Sequence, residues 1–167
     1  SMKMKKSILL SFLLTVFFGS AIFAQTNYDT ISATYTAGDI SADQGFQVLG
    51  DNSTCPGTLS VNVPQNAVIV SVDVEYDMTA ANGATMSEQK SQLRCTSPNG
   101  TSESEVFTPY NQWNPGTFSY SRTGLDIANN VVPFIFGVNF ELHAGTNYWN
   151  APAGCSDLYQ KVDDATW

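Results

Sequence analysis

An all-β fold, an antiparallel β-sandwich of jelly-roll or Greek-key type, is predicted by three features of this sequence. Residues 67–78 alternate with period two, and so do residues 134–143. Nothing after Gln25 sustains a period of 3.6. The alternating runs are short and separated by loops rich in Gly, Asn, Ser and Pro, the pattern of stacked antiparallel strands.

The elements follow in order. Thr30–Thr36 and Phe46–Leu49 are the weaker strand candidates. Leu59–Val63 alternates and stops at Pro64, which has no N–H for a ladder. In the long run, Val68, Val70, Val72, Val74, Tyr76 and Met78 fall on one face and Ile69, Ser71, Asp73, Glu75 and Asp77 on the other. That describes a half-buried strand with an acidic outer side. Asn82-Gly83 supplies positive φ for the following turn. Met86–Thr96 is expected to return antiparallel to the long strand. Phe118 and Tyr120 alternate with serines in a further strand after Gly116. Phe134, Phe136, Val138, Phe140 and Leu142 define the inner face of the next, with Leu125–Ala128 as at most one helical turn. The segment Val162–Trp167 reads as a turn entering a strand. The expectation is a domain lacking its last strand, continued in nature beyond Trp167, with an unpaired edge prone to self-association.

The N-terminus carries a second signal. Lys3, Lys5 and Lys6 precede an apolar segment from Ile8 to Phe18, and Gly-Ser-Ala-Ile-Phe-Ala follows. A basic region, a short apolar region and a small residue at a cleavage point make the layout of a secretory signal peptide. The apolar part is too short for a spanning helix of about 20 residues. Ser1, ahead of the start Met2, reads as a cloning remnant. The expected organisation is residues 1–24 as remnant and leader, then 25–167 as a single domain, secreted or at the cell surface, with no membrane span once the leader is removed.

That 143-residue domain is large enough for a core of its own. It keeps four basic residues, Lys90, Arg94, Arg122 and Lys161, against all fifteen acidic ones, a formal charge of −11. Such a surface repels phosphate backbones, which excludes nucleic acid as a natural partner. Cys55, Cys95 and Cys155 in an oxidising compartment predict one disulfide and one spare thiol, with three pairings open.

Leu59-Ser-Val-Asn-Val-Pro64, Val70-Ser-Val-Asp-Val-Glu-Tyr76, Gln92-Leu-Arg-Cys-Thr-Ser-Pro-Asn-Gly-Thr101 and the closing Ala165-Thr-Trp167 resemble the P-domain of secreted subtilisin-like peptidases. Cys95 stands where the family's turn motif has Leu, and Ala165 replaces the closing Gly. The resemblance covers about half of the domain and extends to accessory modules of large secreted proteins of Bacteroidota bacteria. It implies a jelly-roll sandwich with an accessory, non-catalytic role, sometimes with bound calcium, and no catalytic residues.

Candidate sites divide by chemistry. Asp73, Glu75 and Asp77 recur at about 6.5–7 Å along one strand face. Lys90 and Arg94 in the next strand are expected to answer them as cross-strand ion pairs. Asp39 and Asp43, in Asp-Ile-Ser-Ala-Asp-Gln-Gly, alternate oxygen side chains as a Ca²⁺ loop does, though Gly45 falls one residue late and no bidentate Glu closes the loop. His143, the single histidine, lies two residues from Glu141. A Glu–His pair is the one arrangement here that suits a small hydrolase. No nucleophile elbow or zinc-protease helix accompanies it. Tyr110, Trp113, Tyr148 and Trp149 stand apart from the alternating faces, in loops rich in Asn, Gly and Pro. Rings there either plug the open end of a sandwich or stack on sugars while amides bond the hydroxyls. Asp29-Thr30-Ile31 resembles a bacterial O-glycosylation acceptor. The expected function is a non-enzymatic binding, adhesion or accessory module, using those four aromatics on a glycan or protein ligand at the cell surface.

Overall fold

The computed structural model describes residues 2–8, 27–133 and 137–167. The described residues form nine strands: β1 (Met2–Ile8), β2 (Asn27–Ala33), β3 (Ile40–Asp43), β4 (Gly57–Val61), β5 (Val68–Ala80), β6 (Gln89–Cys95), β7 (Gly116–Leu125), β8 (Val138–Thr146) and β9 (Cys155–Val162). One 3₁₀ turn, Met86–Glu88, is the helical element among them. No helix among the described residues is long and apolar enough to cross a membrane. Most of the apolar part of the expected leader, and Phe134 and Phe136 of the predicted inner face, lie outside the described residues.

Two long strands organise the fold. β5 carries β7 on one edge, and on the other β1 along Val68–Val74 and then β9 along Met78–Ala80. β2 extends this group beyond β1. β8 carries β6 on one edge, and on the other β4 along Val138–Leu142 and then β3 at Gly145. β3 and β9 pair with each other and join the two groups into one sheet. Every pairing is antiparallel except the single parallel bridge Asp43–Gly145. The all-β, antiparallel expectation is thus what is observed.

The groups meet through one core. Val72, Val74, Tyr76 and Met78 of β5, Leu93 and Cys95 of β6, and Val138, Phe140 and Leu142 of β8 belong to a single buried cluster. Polar side chains stitch β5 and β7 to β6. Tyr76 Oη donates to Ser91 Oγ at 2.6 Å, Gln89 Nε2 donates to the Met78 carbonyl at 2.9 Å, and Tyr120 Oη donates to Gln89 Oε1 at 3.1 Å. Arg122 reaches into the same layer, pairing with Glu103 and donating from Nη1 to Tyr76 Oη at 3.0 Å. Each of these side chains is thereby given a partner, as a low-dielectric interior requires.

Several expectations need correction. The alternation of β5 holds from Val72 to Ala80 but reverses at its start, where Ile69 is buried and Val68 exposed. The register explains this: Lys5 pairs with Ser71 and Lys6 with Ile69, so Val70 is an extra residue in a bulge. Met86–Thr96 does not return beside β5. Its strand part, β6, pairs with β8 instead. Lys90 and Arg94 therefore do not answer Asp73, Glu75 and Asp77 across a ladder. Asp73 Oδ1 accepts from the Gly124 N–H at 2.8 Å, and Arg94 Nε donates to Gln92 Oε1 at 2.9 Å. Phe46–Leu49 is a bend and turn, with Phe46 wholly buried. Its carbonyl crosses β8 so closely that a Cβ on Gly145 would meet it at 1.9 Å. Ile40–Asp43 and Cys155–Val162, read as loop or left unread, are strands.

Candidate functional site

The residues that hold the site are Thr85–Glu88. Thr-x-x-Glu is a capping-box pattern, and here the Thr85 N–H donates to Glu88 Oε2 at 2.7 Å while the Glu88 N–H donates to the Thr85 carbonyl at 3.1 Å. The Thr85 carbonyl also accepts from the buried Gln160 Nε2 at 3.0 Å, which ties the turn to β9.

This turn clamps two loops. On one side the Met86 and Ser87 N–H groups donate to the carbonyls of Asn114 and Gln112, at 3.0 and 2.9 Å, and Thr108 Oγ1 donates to the Ser87 carbonyl at 3.0 Å. On the other the Asn147 N–H donates to the Glu88 carbonyl at 3.1 Å. The loop carrying Tyr110 and Trp113 and the loop carrying Tyr148 and Trp149 therefore hang from consecutive residues, at one end of the molecule. Backbone hydrogen bonds fix both loops without using a side chain of the rings.

Three of the four predicted aromatics are presented outward there. Tyr110 is 79% exposed, Trp113 70% and Trp149 81%. Tyr148 is different: it is 8% exposed, its ring lies 6.0 Å from that of Trp149 and 5.1 Å from that of Tyr159, and it forms the base on which Trp149 stands. Of these four, Tyr148 is packed into the fold while Tyr110, Trp113 and Trp149 are exposed. Beside Tyr110 lies an open cleft of about 520 Å³ lined by Val48, Leu49, Lys90, Glu105 and Thr108. Val48 and Leu49 are themselves exposed. The end therefore offers flat rings, two aliphatic side chains, and the amides of Asn111, Gln112, Asn114 and Asn150. The sequence signal that could have found the clamp is the Thr85–Glu88 capping box.

The other predicted groups lie elsewhere. His143 is 3% exposed, covered by the 44–54 loop, not set on the surface as a lone histidine on an outer strand face would be. Its Nδ1 lies 3.2 Å from the Ser53 backbone nitrogen, which can only donate, so Nδ1 accepts and Nε2 carries the proton toward Glu141 Oε2 at 3.1 Å. Nδ1 is occupied in holding that loop to β8 and Nε2 in bonding Glu141 of the same strand, which leaves neither free to take a proton from a nucleophile. Burial and the nearby positive charge of Arg94 push the His143 pKa below its ordinary value, against the opposing pull of Glu141.

Asp39 and Asp43 flank β3 at opposite ends, about 13 Å apart along an extended strand. Asp39 accepts from Lys161 Nζ at 2.6 Å and from the Asp164 N–H at 2.9 Å, and these partners lower its pKa. Asp43 is buried, which raises its pKa, but N–H donors from Thr54 and Gly45 and the Thr54 hydroxyl outweigh this and leave it lowered. Each carboxylate is spent on the fold, and the two are not brought together around a common ion.

Cys55 and Cys155 form a disulfide across a separation of 100 residues, and Cys95 is the buried free thiol, its pKa raised by burial. Asp43 lies beside the disulfide, its Oδ2 3.6 Å from Cys155 Sγ. No family model, no curated protein and no solved structure matches this chain.

Proposed function

We propose that this chain is an exported, non-catalytic β-sandwich module that binds a glycan through the end carrying Tyr110, Trp113 and Trp149. The observation that carries this reading is the clamp at 86–88, which suspends both ring-bearing loops from adjacent backbone groups. Holding large apolar rings in water is unfavourable by the hydrophobic effect, and a fold that does so with fixed backbone keeps the ordering cost of binding low. Rings flanked by Asn111, Gln112, Asn114 and Asn150 match a sugar, whose C–H faces stack on aromatics and whose hydroxyls need amide partners. The charge of −11 on residues 25–167 favours neutral over sulfated or uronic glycans. Export rests on the leader pattern of residues 2–24.

The test is a glycan array of neutral and acidic glycans, read with the wild type and with Trp113→Ala and Trp149→Ala. The account predicts hits among neutral glycans and about a tenfold or greater loss in each variant. The melting temperature should be nearly unchanged, since both rings are exposed. Unchanged binding in both variants would reject this surface, and binding to no glycan on the array would reject the glycan.

A further inference from the structure

β1 occupies a position with consequences for the exported chain. Residues 2–8 pair along their whole length with β2 on one side and with Val68–Val74 of β5 on the other, antiparallel to both. Met2 is fully buried in the core cluster, opposite Val74. Among the described residues β2 has no other strand partner, and β7 reaches β5 only from Val72 onward. The segment that lies between the two edges is the basic start of the expected leader. Its removal leaves a slot one strand wide and seven residues long, about 23 Å. Ile69, Val72 and Val74, all buried, lie along the edge of that slot, where exposed ladder groups and apolar side chains are both unfavourable.

The slot has a charge pattern as well as a shape. Lys3 is in register with Asp73, and Lys6 with Asp29. The residues opposite Met2 and Met4 are Ala33 with Val74 and Ile31 with Val72. Over Met2–Lys5 the slot thus matches a strand in which apolar residues alternate with basic ones. The other basic residues of this chain are Lys90 and Arg94 in β6, Arg122 in β7 and Lys161 in β9, all within strands already paired. A second copy therefore has no spare segment of this kind to lend.

We infer that β1 is a placeholder, and that after leader removal the slot between β2 and β5 receives an extended strand from a partner polypeptide whose apolar residues alternate with lysine or arginine. Main-chain hydrogen bonds on both sides supply the affinity, and the buried edge together with Asp29 and Asp73 supplies the selectivity. This inference rests on the leader reading and is independent of the aromatic end.

The experiment uses the full chain with a protease site inserted between residues 9 and 26. After cleavage the nicked protein, still holding its own 2–8 strand, serves as the folded control. That strand is then competed with labelled peptides: Met-Lys-Met-Lys-Lys-Ser-Ile, the same peptide with its three lysines changed to glutamate, and a scrambled peptide that breaks the alternation. The native pattern should exchange in and keep the melting temperature of the nicked protein. The glutamate peptide should bind about tenfold more weakly, as two opposed charge pairs turned to repulsion imply. That difference should shrink with salt. No exchange of the native peptide, equal binding of all three, or dimerisation of the nicked chain in place of peptide capture would each overturn the inference. Mass analysis of the chain exported by a bacterial host separates the two readings. A start near Gln25 sustains the leader, whereas an intact Met2 refutes the leader and with it the vacated slot, whatever the peptides do.

Discussion

His143 and the Arg122–Glu103 pair show how much of this fold rests on single buried polar groups. Because His143 is neutral and its folded pKa lies below about 6.5, the unfolded chain binds a proton more readily than the folded one in the window just beneath that value. Stability contributed by the neutral ring is therefore fully present above pH 6.5 and is lost as pH falls toward the folded pKa. Wild type should lose melting temperature between pH 7.5 and 5.5, and His143→Gln should be less stable at pH 7.5 but show a flatter profile across that range. Parallel profiles would mean that the ring does not titrate on unfolding. The charged groups facing the ring are Glu141 on its own strand and Arg94 on β6. Arg122 makes the complementary case. It is buried, paired with Glu103, bonded to Tyr76 Oη, and set over the Phe107 ring at 4.3 Å. Arg122→Ala should destabilise by about 3–5 kcal/mol, since it strands a buried carboxylate. Arg122→Met with Glu103→Leu should recover much of that in denaturant unfolding. A double variant as unstable as the single one would show that the packing of the guanidinium, not the stranded charge, sets the loss.

At the scale of elements, alternation made legible those strands whose two faces differ strongly. β7 and the later part of β5 were readable because Phe118, Tyr120, Val72, Val74 and Tyr76 alternate with serines and acids. β6 was placed correctly along the chain but beside the wrong neighbour, since period two reports a pleat and is silent on partners. The Val70 bulge reversed the phase of β5, and nothing in Val68-Ile-Val70 distinguishes a bulged valine from a regular one. β3 and β9 escaped because they are short or carry Cys, Ser, Asp and Lys outward. The burial of His143 is not legible in the sequence because the cover over it comes from residues 44–54, far away in sequence. The loop setting of the four aromatics is legible in the sequence, but the burial of Tyr148 is not, as it depends on Tyr159 of β9. β3 and β9 matter out of proportion to their length, since their pairing joins the two groups of strands and the Cys55–Cys155 bond lies at the same junction. For a closed loop of this length the bond contributes about 4–5 kcal/mol by chain entropy. Reduction, or Cys155→Ser, should lower the denaturant midpoint markedly. Superimposable curves with and without reductant would show that the ribbon stands on its ladder alone.

For the whole molecule, ordered loops at one end and a strand slot at one side are separate features. The first depends on the 86–88 turn and its bonds to both loops, the second on β2, β5 and the short strand between them. Ligand contact at the aromatic end should leave the β2–β5 side untouched, and strand replacement should leave the rings accessible. On the proposed readings, the formal charge of −11 on residues 25–167 acts on both, favouring neutral sugars at the one and a basic strand at the other.

Amide hydrogen exchange of the full chain, with and without a neutral glycan that binds it, tests the central assignment most directly. The account predicts new protection confined to residues 86–88, 110–114 and 147–150, lost together in Trp113→Ala. Protection centred on β2 and β5, or spread evenly over the sheet with these loops unchanged, would contradict it.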